Sequence, residues 1–553
     1  MGLQLLATPA VSRWTWIGTA LFVLVVLGML GAVALINRRW GGAAEGEDAA
    51  RTVARNTSLP FVLQLFTRAI DLGFVAVLYR FVTDDAMGGY ELAGLVVVQY
   101  LGTIADWGLT VLMTRDIARD PARAGDYFRT TLRLRLRFAW LALPAAALFA
   151  LGYNGLAALG VTRVALPGST LLLIAILALT LFPAAFSSTV TALFQARERA
   201  AVPAAINVQT NVLSALARVA ALSLGFGALG VAVGALLGAL AGAALFARAL
   251  RRQAPEIGWA GPQLAMKPLI VQGWPLLLNS LLIGVFFRFD SLIIAAYSGQ
   301  AAAADYGTAY KFISLTQIIP PVVVNALFPL LSRRAAGDRE GLRRAYEGTL
   351  RLLLLAALPI AAAMTVLARP LVAVLAGEQY LPDGALALAI TIWYLPWSFV
   401  NGLTQYVVIA LDRQRSITLA FGVTAMFNLS MNLLLVPRYG FAAAAAVTIA
   451  SELVLLWPLR RVVAGEIGAP PLLRLVWRPA LAAAAMGAVL WGTQSLPPQS
   501  WGGQLLTLGL AALIGPLVYG WALLALKTFT DDDYQLVRRA LRRRDGQTAT
   551  AQE

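Results

Sequence analysis

Apolar stretches long enough to cross a bilayer recur along this chain from end to end. The short connectors between them alternate between basic and nearly charge-free. A helix needs about 20 apolar residues to span hydrocarbon, and about fifteen segments here reach that length. The chain is 59% hydrophobic and 13% charged, with a mean hydropathy of +0.73, so its connectors leave no room for a separate soluble domain. Backbone polar groups in lipid must be satisfied within the structure, and apolar runs of this length can do that only as helices. The expected fold is an all-α polytopic membrane protein.

The arginines sort by connector. Most of the 44 Lys and Arg residues fall on connectors of one parity or in the C-terminal tail. Examples are Arg115, Arg119, Arg123, Arg129, Arg133, Arg135 and Arg137, then Arg333, Arg334, Arg339, Arg343, Arg344 and Arg351. The opposite connectors hold Arg13, Arg80, Arg163, Arg369 and Arg438. Cytoplasmic loops carry the excess of basic residues. This places the protein in the cytoplasmic membrane as a multi-pass chain with an external N-terminus and a cytoplasmic C-terminus. The formal charge of +16 then reports orientation toward anionic lipid, and no nucleic-acid partner is expected.

Cysteine and histidine are both absent. That excludes a disulfide framework, a thiol nucleophile and a Cys/His metal site. The lysines are Lys267, Lys311 and Lys527, and none lies in a Walker-type phosphate loop. The chain is therefore expected to have no cofactor, no metal and no catalytic residue, and to be no enzyme.

An internal repeat organises the spans. The span at 59–80 leads to Gly88-Gly89-Tyr90, and the span at 270–297 leads to Ala304-Asp305-Tyr306. The span at 203–225 carries Asn207 and Asn211 before a Gly/Ala-rich span. The span at 417–436 carries Asn428 and Asn432 before an Ala-rich one. Both comparisons are offset by six spans, an even number, so the repeat is parallel. The expected domains are an N-terminal anchor helix and cytoplasmic linker (1–50), a first six-helix lobe (51–252), a second six-helix lobe (253–465), a C-terminal helix pair (466–527) and a basic tail (528–553). Parallel repeats of this kind place a site between the lobes.

Several spans carry ionisable residues, which cost about 2.5–3.5 kcal/mol each near mid-membrane on insertion scales. Gln64, Arg68 and Asp71 fall on one helical face, as do Asn207, Asn211, Ser214 and Arg218. Arg288, Asp290 and Lys311 follow in the second repeat. A polar stripe cannot face lipid tails, so these should line a shared wet interior. Plainer readings stand beside that one. Arg68 and Asp71 could be an intrahelical pair, Asp290 could serve Lys311, and Arg218 could snorkel outward. The Asn pairs could bind helices together. Asp106 and Glu452 read as packing or capping groups.

The run Ala105-Asp106-Trp107-Gly108-Leu109, followed by Arg115-Asp116-Ile117-Ala118-Arg119-Asp120, resembles the second-helix region of bacterial polysaccharide flippases. These belong to the multidrug/oligosaccharidyl-lipid/polysaccharide (MOP) exporter superfamily. The stretch from Asp290 to Tyr306, with Tyr310-Lys311 and Phe328-Pro329, resembles the start of their second lobe. Asn428-Leu429-Ser430-Met431-Asn432 and Val436-Pro437-Arg438-Tyr439-Gly440 resemble their Asn-rich helix and the turn after it. The resemblance covers roughly residues 50–530 through many short motifs. The leading anchor helix departs from the twelve or fourteen helices of the family.

That resemblance implies a flippase that moves a polyprenyl-pyrophosphate oligosaccharide across the cytoplasmic membrane by alternating access, for cell-surface polysaccharide synthesis. The lipid-linked oligosaccharide and the bilayer are then its partners, with glycan-assembly proteins as further candidates. Arg68 and Arg288, on comparable helices of the two lobes, would clamp the pyrophosphate, because a guanidinium presents a planar fork of donors. Arg218, Lys311, Gln64, Asn207, Asn211, Asn428 and Asn432 would complete the binding set. Asp71 and Asp290 would couple transport to a cation. A drug or metabolite exporter of the same superfamily is the first alternative, and its usual cationic cargo calls for a more acidic site. A membrane glycosyltransferase or glycan polymerase is the second, resting on Asp84-Asp85 in an outer loop.

Overall fold

In the computed structural model the described residues are 13–40, 49–259, 261–494 and 500–528; the tail arginines expected to face the cytoplasm lie outside them. Every regular element among these residues is a helix. Those that matter below are α1 (Arg13–Trp40), α2 (Ala49–Phe81), α3 (Asp84–Gly94), α4 (Ala124–Ala158), α5 (Ala201–Ser223), α6 (Gly227–Gln253), α7 (Met266–Ser298) and α8 (Gln300–Thr316). They are followed by α9 (Arg339–Val366), α10 (Leu395–Ala410), α11 (Arg415–Ile467), α12 (Leu472–Thr493) and α13 (Trp501–Ala525).

Eleven helices among the described residues are long and apolar enough to cross a membrane, or twelve if the pair Gln300–Val324 and Ala326–Ala335, bent by 45°, counts as one span. That is fewer than the sequence led us to expect, for local reasons. Helix α5 carries Asn207, Gln209, Asn211 and Arg218 and falls short on hydropathy. Helix α11 runs for 53 residues, but Gly440 breaks it with φ +59° and ψ −147°. The left-handed φ suits glycine, which has no Cβ to clash, so the Pro-Arg-Tyr-Gly motif ends one span and begins the next.

The chain forms two compact units. The first comprises Met1–Lys311, Leu375–Gly384 and Ala425–Val447; the second comprises Phe312–Val374, Ala385–Thr424 and Thr448–Glu553. In the first, α5 and α6 meet along a glycine seam. A Cβ on Gly230 would strike Phe226 and Ala221, one on Gly234 would strike Arg218, one on Gly238 would strike Ser214, and one on Gly242 would strike Thr210. Glycines four apart lie on one helical face and let two backbones approach closely. The anchor helix α1 packs on the same unit, with Val26 buried beside Leu63, Ile70, Val208 and Val212. Gly73 leaves room for the Phe22 ring.

The Ala-Asp-Trp-Gly motif is a helix break. Trp107 and Gly108 both take left-handed backbone angles, φ +51° and +72°. The Trp107 ring stacks on Phe138, and its Nε1 donates to the Ile270 carbonyl at 3.0 Å. Asp106 pairs with Arg135 and accepts from Thr110 Oγ1 at 2.6 Å. Arg135 is 1% exposed and also donates to Thr189 Oγ1 at 2.9 Å. Arg135, grouped with the connector arginines by hydropathy, is thus buried and paired inside the protein, because α4 begins well before the apolar run.

In the second unit, α12 packs on α9 and on α13. Leu350, Leu353, Leu354, Ala357 and Ala361 of α9 are buried. Tyr519 Oη donates to the Leu355 carbonyl at 3.0 Å. Arg478 of α12 donates to the Lys527 carbonyl, just past the end of α13, at 2.6 Å.

Candidate functional site: a cationic cavity in the first unit

A cavity of about 530 Å³ opens among α2, α3, α5, α6, α7 and α8, and its lining residues all belong to the first unit. Five ionisable residues line it: Asp71, Glu91, Arg218, Arg288 and Lys311. Gln99, Thr180, Tyr90 and Ser291 add polar lining, and Phe74, Val75, Leu78 and Leu95 are among its apolar walls. Its volume falls within the range of about 300–1,000 Å³ typical of ligand sites.

The charges divide into engaged and available groups. Lys311 Nζ lies 2.9 Å from Glu91 Oε1, and Tyr79 Oη donates to the same oxygen at 3.1 Å. Gly307 makes this pairing possible, since a Cβ there would overlap the Glu91 carboxylate. Asp71 accepts from Asn211 Nδ2 at 3.0 Å, and the same amide reaches the Thr67 carbonyl at 3.4 Å. Asn211 thus ties α5 to α2 and holds Asp71 at the cavity wall.

Arg218 and Arg288 differ from Lys311. Among the described residues, no carboxylate lies within ion-pair distance of either guanidinium. Arg218 Cζ sits 4.2 Å from the Phe74 ring centroid, and its Nε donates to the Ser214 carbonyl at 3.1 Å. Arg288 Cζ sits 4.6 Å from the Tyr310 ring centroid. A guanidinium over an aromatic face is attracted by the ring quadrupole, by about 0.5–1 kcal/mol at exposed sites and more when desolvated. The α5–α6 seam fixes one of these arginines directly, because Gly234 lies flush against the Arg218 backbone and Cγ.

The expected site residues therefore distribute unevenly. Arg218, Arg288, Lys311 and Asp71 converge on one cavity. Arg68 and Gln64, on the same helix as Asp71, are exposed and outside its lining, and so is Asn207. Asp290 is 2% exposed and stands behind the wall. It accepts from Tyr306 Oη at 2.6 Å, Tyr310 Oη at 3.3 Å and the Ser291 amide at 2.7 Å. Tyr310 thus connects Asp290 to Arg288. Asn428 and Asn432 are buried and bond to each other, Asn432 Nδ2 donating to Asn428 Oδ1 at 3.0 Å.

Glu91 escaped the sequence reading. Hydropathy starts its span at residue 92, whereas α3 begins at Asp84 and carries Glu91 into the cavity. The signal available was Gly307, one turn before Lys311, at a position where only glycine leaves room for the acid.

The bundle of bent and broken helices around this cavity is a fold that solved structures share. The structure is similar to the inward closed conformation of lipid II flippase MurJ, with a TM-score of 0.64 at 13% identity over 84% of this chain and 98% of that one. It is also similar to the inward-facing conformation of a multidrug resistance MATE family transporter of the MOP superfamily, with a TM-score of 0.56 at 15% identity over 80% of this chain and 98% of that one. Among curated proteins none matches the sequence. Residues 77–383 match the family model described as polysaccharide biosynthesis protein, and the chain belongs to that family.

Proposed function

We propose that this protein is a flippase of the cytoplasmic membrane. It carries a polyprenyl-pyrophosphate oligosaccharide from the cytoplasmic to the external leaflet by alternating access, for cell-surface polysaccharide synthesis. The observation that carries this reading is the pair of arginines without carboxylate partners among the described residues, Arg218 and Arg288, in one cavity. Charge-assisted hydrogen bonds from a guanidinium suit phosphate oxygens, and the lining holds three cations against two acids. Arg68 lies outside that lining, so the clamp is assigned to Arg218 and Arg288. Gln99, Thr180 and Tyr90 supply donors and acceptors for the first sugar. The remaining glycan extends beyond a cavity of this size. Family membership points to polysaccharide synthesis, and a structure of the same fold is a lipid II flippase. A drug exporter for cationic cargo is the less favoured reading, because cationic cargo would meet net positive lining.

The test is genetic and chemical. In a strain lacking the gene, lipid-linked oligosaccharide should accumulate in the cytoplasmic leaflet. The wild-type gene should relieve it, and Arg218→Ala or Arg288→Ala should not. Normal external display in the deletion strain would reject the flippase, and full rescue by both variants would reject the clamp.

A further inference from the structure

The second unit holds a buried carboxylate that the transport reading does not use. Glu452, on the latter half of α11, is 1% exposed, and so is Asn401 on α10. Asn401 Nδ2 donates to Glu452 Oε2 at 2.6 Å and to the Glu452 carbonyl at 2.8 Å. The other oxygen of each side chain, Glu452 Oε1 and Asn401 Oδ1, is buried with no hydrogen-bond partner among the described residues. No Lys or Arg among them lies within ion-pair distance of Glu452.

An ionised carboxylate in this setting would keep a full charge in an apolar interior with only the Asn401 amide and the nearby Ser398 hydroxyl to support it. Isolated buried charges of this kind are neutralised rather than tolerated. The groups around it offer no compensating charge. Ser398 lies near the carboxylate on the same side of α10. Tyr394 Oη and Ser398 Oγ accept from Gln317 Nε2 at 2.6 and 3.3 Å. On α9, Tyr346 shares its hydrogen with Thr404, 2.7 Å away. Arg460 lies two helical turns beyond Glu452 and near Tyr346. Among the described residues no three or more His, Cys, Asp or Glu side chains gather to hold a metal ion.

We propose that Glu452 is a proton-binding site of the second unit, carrying its proton on Oε1 with Asn401 clasping Oε2. Binding forms one O–H bond with a proton taken from water, and release returns it. Ser398 and Gln317 are half-buried and form the polar path between the carboxylate and water. Deprotonation leaves the clasp with an uncompensated charge, so proton release loosens the contact of α10 with α11.

The test uses the full-length protein in lipid vesicles. Infrared spectra should show the carbonyl stretch of a neutral carboxylic acid near neutral pH. ¹³C-labelled glutamate should shift that band, and Glu452→Gln should remove it. A wild-type spectrum with no glutamate band from about pH 5 to 8, the range in which perturbed acids titrate, would overturn the proposal, and this reading needs no folded variant. A second readout rests on the flippase assignment: flipping should depend on pH in the wild type and lose that dependence in Glu452→Gln. A glutamate band that no pH moves, with pH-independent flipping, would overturn proton exchange. Because the spectra need no cargo, failure of the cargo assignment would leave them standing.

Discussion

Gly234→Ala tests whether the glycine seam positions Arg218 for function. The added Cβ would lie 2.9 Å from the Arg218 nitrogen and 3.0 Å from its Cα and Cγ. Favourable carbon contacts lie at about 3.5–4.0 Å, so α5 and α6 must part by roughly half an ångström or more. Two of the three atoms are backbone and cannot swing aside. Overpacking of this kind costs about 1–3 kcal/mol. The functional loss should exceed that of a general stability defect, because the shift moves the guanidinium itself. A hydrogen bond to a charged group is worth about 1.5–3 kcal/mol. At 1.4 kcal/mol per factor of ten, losing it predicts about a ten- to hundredfold fall in flipping at low cargo concentration. The assay is a double-mutant cycle on initial flipping rate in proteoliposomes, with Arg218→Ala as the second arm and quantities of folded protein matched. If the glycine acts through the arginine, the double variant should be no worse than the worse single one. Additive losses, or wild-type flipping by Gly234→Ala, would refute the reasoning.

Three further outcomes follow from the charges. Asp106→Ala should destabilise the protein by about 3 kcal/mol, because it strands a buried guanidinium, whereas adding Arg135→Met should recover most of the loss; thermal unfolding in nanodiscs reads both, and no recovery would count against the pair. Glu91→Gln should release Lys311 and tighten binding of a pyrophosphate lipid by about 1–2 kcal/mol while steepening its salt dependence; unchanged binding in equilibrium titrations would show that Lys311 does not meet cargo. Gly307→Ala should mimic Glu91→Gln in the same titrations, since the methyl group displaces the same carboxylate, and an opposite shift would refute that account.

The sequence made the presence of these charges legible far better than their direction. Arg218, Arg288, Lys311 and Asp71 stood out because ionisable groups in apolar runs are expensive. Helical periodicity also put Arg68 and Asp71 near one face, yet a helix face is wide. Asp71 is drawn to the wall by Asn211, three turns into α5, while Arg68, less than one turn away, stays exposed. No pattern local to α2 carries that difference. Arg135 shows the converse. Hydropathy starts its span at residue 133 and groups it with neighbouring arginines, but an aspartate near the Trp107 break claims it. Span ends set by hydropathy were too short at Glu91 for the same reason: helices continue past the apolar run wherever a polar partner waits inside.

What separates the half-buried Arg218 and Arg288 from the buried Arg135 is the kind of support each receives. Arg135 is held by a carboxylate and hydroxyls, which engage its Nη1 and Nη2, while its Nε has no partner among the described residues. A ring face supports a guanidinium differently. It meets the π-surface and leaves the N–H groups, which lie in the guanidinium plane, pointing past the ring edge. Arg288 is supported by Tyr310, and Arg218 by Phe74, with one of its donors given to Ser214. Both therefore keep donors open at the cavity without a carboxylate that cargo would have to displace. Glu91 removes the competing point charge of Lys311. The proposed anion site is thus compact and built from planar donors, and on that proposal it can release its anion again because the aromatic support stays in place when the cargo leaves.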